Sequence, residues 1–410
     1  MPDDTHHRPS TQEIIELTES VSARNYHPLP VVISRAEGAW VTDPEGRRYL
    51  DFLSAYSAVN QGHRHPRILA ALKEQADRCT LTSRAFHNDR MGEFLARLCK
   101  YAGYGMALPM NTGAEAVETA LKMARLWGVK VKGLRDGEQE IICAEGNFHG
   151  RTITIISMST DPVARSGYAP YTPGLRIIPY DDPDALEEAI TERTVAFLVE
   201  PIQGEAGVRV PRHGYLRRVR EICTRRGVLF LADEIQTGLC RTGRKFACDH
   251  EDVRPDALCL GKALGGGVLP VSAVVADPAL LGVFTPGSHG STFGGNPLAA
   301  AVGIASLQVL EDEGLAERAA ELGERFRARL AAFRCPRLQQ VRGKGLLNAA
   351  VFDEGFNAWD VCVALKEGGL LAKQTHGNII RFAPPLVISK DDLDLGLSII
   401  EKVLAGKAPS

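Results

Sequence analysis

Between residues 106 and 276, short apolar runs alternate with amphipathic stretches. The runs are Met106–Met110, Glu140–Ala144, Leu175–Tyr180, Val195–Val199, Val228–Ala232, Ala257–Leu260 and Val271–Ala276. They are rich in aliphatic and β-branched residues and bounded by Gly, Pro, Asp or Asn, as strands buried on both faces are. Helical patterns lie between several of them. Val117, Ala120, Leu121 and Ala124 recur at helical spacing within Glu115–Leu126, and Tyr215–Arg226 is a second such stretch. The alternation predicts an α/β domain on a mostly parallel seven-stranded sheet flanked by helices.

From about Asn296 the texture changes. Helices are expected over Pro297–Glu313, Leu315–Phe333, Trp359–Glu367 and Lys390–Leu404, with a strand-like VRGKGLLNAAVF and a strand at Ile379–Phe382. This predicts a smaller α+β domain. Near the start, VVISRAEGAWVTDPEGRRYLDF reads as a hairpin with turn signals at Asp43–Gly46. The expected division is an N-terminal segment, residues 1–60, contributing to the small domain, a large cofactor-binding domain over 61–296, and a C-terminal small domain over 297–410. No repeat or low-complexity stretch interrupts it.

Composition narrows the class. Apolar residues make up 44% and charged residues 24%, an ordinary soluble balance. A net charge of −2 gives no reason to expect nucleic acid or an acidic membrane as a partner. No apolar run reaches the roughly 18 residues that a membrane span needs. Nine cysteines stand singly, without a CxxC pair, which favours free thiols in a reducing compartment. The start, MPDDTHHRPSTQEIIELTES, lacks a secretory or mitochondrial targeting pattern, so a cytoplasmic location is expected. His6–His7 reads as part of a polar tail, and no His/Cys/Asp/Glu set has metal-ligand spacing.

The chemistry centres on two strand ends. Val228–Ala232 leads into Asp233 and Glu234, and ligands of open α/β sheets bind outside such ends. The next strand ends just before Lys262, in GKALGGG. The glycine spacing is not that of a Walker loop. A lysine placed there suits an imine with an aldehyde cofactor, because burial keeps the amine nucleophilic. Pyridoxal phosphate needs such a lysine, an acid for its ring nitrogen and a phosphate cradle. Asp233 can supply the acid. Asn111–Ala116 can supply the cradle, through a glycine and a helix N-terminus.

MNTGAEAVETA, NFHGRT, VEPIQGEAGV, ADEIQTGLCRTGR, GKALGGG, GSHGSTFGGNPL and RFAPPL follow one another along the chain. In this order they resemble the class III (omega) aminotransferases of fold type I. ARNYHPLPV, SAYSAVNQGHRHP, LTSRAFHNDR and LLAKQTHGNIIRFAPPLVI resemble the ornithine-specific branch of that family. The resemblance implies that Phe148 stacks on the cofactor ring, Gln236 bonds its phenolic oxygen, and Gly113 and Ala114 hold the phosphate. Ser291 and Thr292 are implied to reach the phosphate of the neighbouring subunit, making a homodimer the minimal active unit.

A substrate with an α-amino acid group far from its reacting amine needs a cation for the carboxylate. Arg151 can provide a bidentate clamp. By resemblance, Tyr26 meets the α-amino group and Tyr56 shapes the pocket beside it. The second substrate, 2-oxoglutarate, would use Arg151 and Arg381. Glu205 is implied to cover Arg381 during the amine half-reaction and to swing away for the keto acid, blocking the wrong pose. His149, His63 and His65 are read as structural. The implied activity is transfer of the δ-amino group of ornithine to 2-oxoglutarate. The rival readings are an omega-aminotransferase for acetylornithine, 4-aminobutyrate or lysine, a decarboxylase or racemase on the same scaffold, and a non-enzymatic cofactor-binding protein.

Overall fold

The structure, a computed structural model, describes residues 9–406, and His6–His7 lie outside the described residues. Three short strands come first: β1 (Arg35–Glu37), β2 (Trp40–Thr42) and β3 (Arg48–Asp51). The expected hairpin is the antiparallel β2–β3 pair, turning at Asp43, whose carboxylate accepts the Arg47 N–H at 2.8 Å.

Seven strands form the central sheet: β4 (Met106–Met110), β5 (Glu140–Ala144), β6 (Leu175–Ile178), β7 (Thr194–Val199), β8 (Leu229–Asp233), β9 (Ala257–Leu260) and β10 (Ser272–Ala276). Their order is β4-β10-β9-β8-β7-β5-β6, and only β10 runs against its neighbours. All six residues of β7 and all five of β8 are buried, which explains their unbroken apolar character. Helices Gly113–Lys130 and Tyr215–Arg226 match the predicted patterns, the first extending beyond both expected ends. Among the described residues before 296, further helices run over Thr11–Val21, Pro66–Ala76, Met91–Ala102 and Pro183–Ala189.

The C-terminal part holds β11 (Leu338–Lys344), β12 (Leu347–Phe352), β13 (Leu370–Leu371), β14 (Lys373–Thr375) and β15 (Ile379–Phe382). VRGKGLLNAAVF is therefore not one strand. It is the core of the β11–β12 hairpin, because Gly345 takes φ +52° and turns the chain. β13 pairs in parallel with β3, so the first strands share a sheet with residues 370–371. Helix Pro297–Asp312 is capped by the Asn296 side chain, begins with proline, and buries Ala299–Leu307 without a break. All nine cysteines are unpaired, and six are buried. Among the described residues, no helix is long and apolar enough to cross a membrane.

Candidate active site

Asp233 ends β8 and Glu234 follows it, and the two carboxylates point opposite ways. Glu234 turns away from the cavity. It accepts the N–H groups of Ala247 at 3.0 Å and Cys248 at 2.9 Å, and the Thr237 hydroxyl. Asp233 turns into the cavity. One oxygen accepts the Ile235 N–H at 3.1 Å, and the other lies 2.7 Å from His149 Nδ1. Of the pair, only Asp233 has acceptor capacity directed at a ligand.

Lys262 follows β9 through the extended Gly261 and takes φ +45° itself. Left-handed backbone in a non-glycine residue costs about 1–2 kcal/mol, a strain typical of functional positions. The side chain lines a cavity of about 220 Å³ together with Gly113, Ala114, Phe148, Asp233 and Gln236. Burial pushes the lysine below its ordinary pKa and Arg381 adds to this, while Glu205, Asp233 and Glu200 oppose it.

The helix Gly113–Lys130 begins in a capping box. The Thr112 hydroxyl accepts the Glu115 N–H at 3.2 Å, and the Glu115 carboxylate accepts the Thr112 N–H at 2.7 Å. This leaves the amides of Gly113 and Ala114 at the helix tip, both on the cavity wall. Gly150, at φ +131°, lets the neighbouring loop lie against them. A Cβ there would stand 3.0 Å from the Cβ of Ala114.

Phe148 is 38% exposed and faces the cavity, with the Arg151 guanidinium 5.5 Å from its ring centroid. Its N–H donates to Glu200 at 2.9 Å. Burial drives the Glu200 carboxyl well above the carboxylate range, with Asp233 adding to the effect and the Phe148 N–H opposing it. Glu200 is a site residue that sequence reasoning missed, and His149, read there as structural, also lies on the cavity wall. The available signals were the VEP motif and the position of His149 beside Phe148.

On the substrate side, Arg381 in β15 is 3% exposed and pairs with Glu205 at 2.5 Å. Glu205 also accepts from Gln236 Nε2 at 3.0 Å, so Gln236 keeps one amide hydrogen for another acceptor. Burial raises the Glu205 carboxyl, but Arg381, Lys262 and Gln236 more than offset this, and the net shift is downward. The Arg381 guanidinium carbon sits 4.9 Å from the Tyr56 ring centroid. Tyr56 belongs to a run of four left-handed residues, Ser54–Ser57, with φ between +45° and +74°. The Asp51 carboxylate accepts the N–H groups of Leu53 and Ser54 at 2.8 and 2.9 Å, which holds the entrance of this turn. Tyr26 is 76% exposed and near enough to act electrostatically on Tyr56. Arg151 is exposed and lines a second cavity, about 460 Å³, which shares Phe148 and Glu205 with the first.

Two predicted residues stand apart. Ser291 lies against the loop before the helix tip, accepting from Asn111 Nδ2 at 2.8 Å, and Thr292 is exposed. Neither lines the cavity around Lys262. His63 and His65 are structural, bonded to Asp51 at 2.8 Å and Glu313 at 2.9 Å.

The chain is 58% identical to an ornithine aminotransferase of Bacillus subtilis over 96% of its length and 98% of the relative's. An ornithine aminotransferase structure from Toxoplasma gondii, described with PLP at partial occupancy in its active site, superposes with a TM-score of 0.95. It is 47% identical, over 97% of this chain and 94% of that one. An acetylornithine aminotransferase structure from Elizabethkingia anophelis is 51% identical, with a TM-score of 0.89, over 97% of this chain and all of that one. From residue 21 to residue 404 the sequence matches the family model of the class-III aminotransferases, and the chain belongs to that family.

Proposed function

We propose that this enzyme holds pyridoxal 5'-phosphate in the cavity around Lys262 and transfers the δ-amino group of ornithine to 2-oxoglutarate. The cofactor fits the donor set. An amine, a carboxylate, an aromatic face and two unpaired helix-tip amides meet in one cavity, and the buried His149 Nε2 and Gln236 Oε1 on its wall have no partner. When bound, the cofactor supplies an aldehyde for the imine and a ring that accepts electrons.

The chain's residues do the rest. Lys262 Nζ would be the amine that holds the cofactor, and it would carry a proton away from the carbon bearing the substrate amine and return one. Asp233 would hold the ring nitrogen, and Phe148 would cover the ring. Gly113 and Ala114 bind the phosphate. The products are glutamate 5-semialdehyde, which cyclises to pyrroline-5-carboxylate, and glutamate.

The observation that carries the substrate reading is the Glu205–Arg381 pair beneath Tyr56. With Arg381 occupied, an amino acid cannot place its α-carboxylate there and present the wrong amine. Arg151 and Tyr26, further out, then take the α-carboxylate and α-amino groups. For 2-oxoglutarate, Glu205 releases Arg381 to bind the carboxylate beside the keto carbon. We also propose a cytoplasmic homodimer in which Ser291 and Thr292 serve the partner's phosphate, in keeping with the exposed Thr292.

The second reading, an acetylornithine enzyme, is favoured by the 51% identity to the Elizabethkingia anophelis protein. Stopped-flow bleaching of the cofactor's visible absorbance with each amine separates the two. Ornithine should react at least about tenfold faster than N-acetylornithine. The reverse order would sink the ornithine assignment.

Glu205→Ala should leave Arg381 uncovered and speed bleaching by glutamate by about tenfold, while ornithine loses selectivity. The pH sign is definite. A carboxyl depressed on folding keeps its ion pair above the ordinary glutamate pKa and loses it only as pH falls through the lower folded value. Between pH 6 and 9, roughly two units or more above a free glutamate, the selectivity of the parent should therefore be flat. A selectivity change in that window would contradict the role of Glu205.

A further inference from the structure

Glu205 is fastened at two points. Its carboxylate meets Arg381 on β15. Its backbone carbonyl accepts the Thr375 hydroxyl at 2.8 Å and lies 3.1 Å from His376 Nε2. A carbonyl can only accept, so the proton of the histidine contact sits on Nε2, and both lone pairs of the oxygen are used. Thr375 ends β14 and His376 opens the turn to β15. Across this hairpin Thr375 pairs with Ile379, and Lys373 with Arg381. One hairpin therefore carries Arg381 and also grips the backbone of the residue that covers it.

Around Glu205 the chain makes a tight reversal. Gln203 and Arg209 exchange backbone bonds at 3.1 and 2.9 Å, and the N–H groups of Gly207 and Val208 both reach the Gly204 carbonyl at 3.1 Å. Arg342 Nε donates to the Gly207 carbonyl at 2.8 Å. Gly207, at φ +88°, lies so close to β15 that a Cβ would stand 2.7 Å from Ile379 Cδ1. The Glu205 carbonyl takes no part in these bonds, so its place depends on Thr375 and His376.

We propose that Thr375 and His376 are positioning residues for Glu205, pinning its main chain to the hairpin that bears Arg381. Release of Arg381 is then a rotation of the Glu205 side chain on a fixed backbone, and the carboxylate returns to the same place. Movement of the hairpin carries the Glu205 carbonyl and Arg381 together, and does not by itself uncover the arginine. The role rests on the proposed part of Glu205 in choosing between substrates. The grip on its carbonyl does not.

The test uses three substitutions. Thr375→Val removes the hydroxyl and keeps the shape, and Thr375→Ser keeps the donor. His376→Asn shortens the side chain but suits the left-handed backbone, φ +49°, at this position. In the holoenzyme, Thr375→Val should speed bleaching of the cofactor's visible absorbance by glutamate about threefold, and Thr375→Val/His376→Asn about fivefold. Bleaching by ornithine should stay within about twofold. Thr375→Ser should match the parent. In a Glu205→Ala background the double variant should add less than about twofold, because it acts only through that carboxylate. In the apoprotein, hydrogen exchange of the Gly207 and Val208 amides should quicken at least about threefold in the double variant, with the β12–β15 pairing unchanged.

The proposal is overturned if the double variant reacts with glutamate as the parent does, or if Thr375→Ser is as altered as Thr375→Val. It is equally overturned if the double variant acts undiminished in Glu205→Ala, or if exchange at Gly207 and Val208 does not change. Should Glu205→Ala itself leave bleaching by glutamate at the parent rate, the substrate role of Glu205 fails instead. The apoprotein exchange then still decides whether Thr375 and His376 hold the loop.

Discussion

Replacing Lys262 with alanine should lower turnover by about 10⁴-fold and remove the visible absorbance of lysine-bound pyridoxal phosphate. The reason is geometric. Lys262 is the amine that stands at the end of β9 in the cavity that Asp233 and the helix tip share. The loss should not come from unfolding. Burial depresses the lysine's pKa, so the folded chain holds this proton less tightly than the unfolded chain does. That cost is present below the unfolded lysine pKa and disappears as pH rises through it. At neutral pH the Lys262→Ala apoprotein should therefore unfold at a urea concentration no lower than the parent's. A variant that keeps turnover, or that loses it only by unfolding, would remove Lys262 from the mechanism.

The largest effect on stability should come from Arg241→Met. Arg241 is fully buried, and its guanidinium donates only to neutral acceptors. Nε and Nη2 reach Asn60 Oδ1 at 3.1 and 2.6 Å, and Nη1 reaches the carbonyls of Leu346 at 3.0 Å and Pro384 at 2.7 Å. Burial lowers its pKa, and Asp51 opposes this from a distance. Asn60 is itself tied to Leu239 O at 2.8 Å, and its carbonyl accepts the Leu386 N–H at 2.8 Å. One side chain thus joins the N-terminal segment, the loop after β8, the β11–β12 turn and the chain beyond β15. Methionine would fill most of the volume and leave three acceptors dry, at about 1–3 kcal/mol each. We expect a loss of about 3–5 kcal/mol in urea unfolding of the holoenzyme. A loss below about 1 kcal/mol would mean that water replaces the guanidinium.

The chemistry of this chain was more legible than its staples. Lys262 and Asp233 were readable because each follows an unbroken apolar strand, and a polar residue there has few other reasons to exist. Asn111–Ala116 is legible as a helix start from its glycine and the apolar spacing that follows. The partner of His149 is not legible, because a histidine in a loop carries no sign of what it bonds, and Asp233 is 84 residues away. Arg241 gave no signal, since an arginine among Thr, Gly and Cys looks like surface. The β11–β12 hairpin reads as one strand because Gly345 and Leu346 interrupt the apolar pattern too briefly. Pairing of β3 with β13 joins positions 320 residues apart, and nothing local encodes it.

The left-handed turn at Ser54–Ser57 sets how this pocket can change over generations. Four such residues together cost about 4–8 kcal/mol relative to ordinary helical backbone, and the buried hydroxyls of Ser54 and Ser57 lack partners. A chain that has accommodated this cannot easily reshape the loop in small steps, because each intermediate loses the support from Asp51 before gaining another. The side chain at position 56 can still change, within what a left-handed backbone accepts. New amine preferences should therefore arise by exchanging what the turn displays, with the turn itself inherited intact.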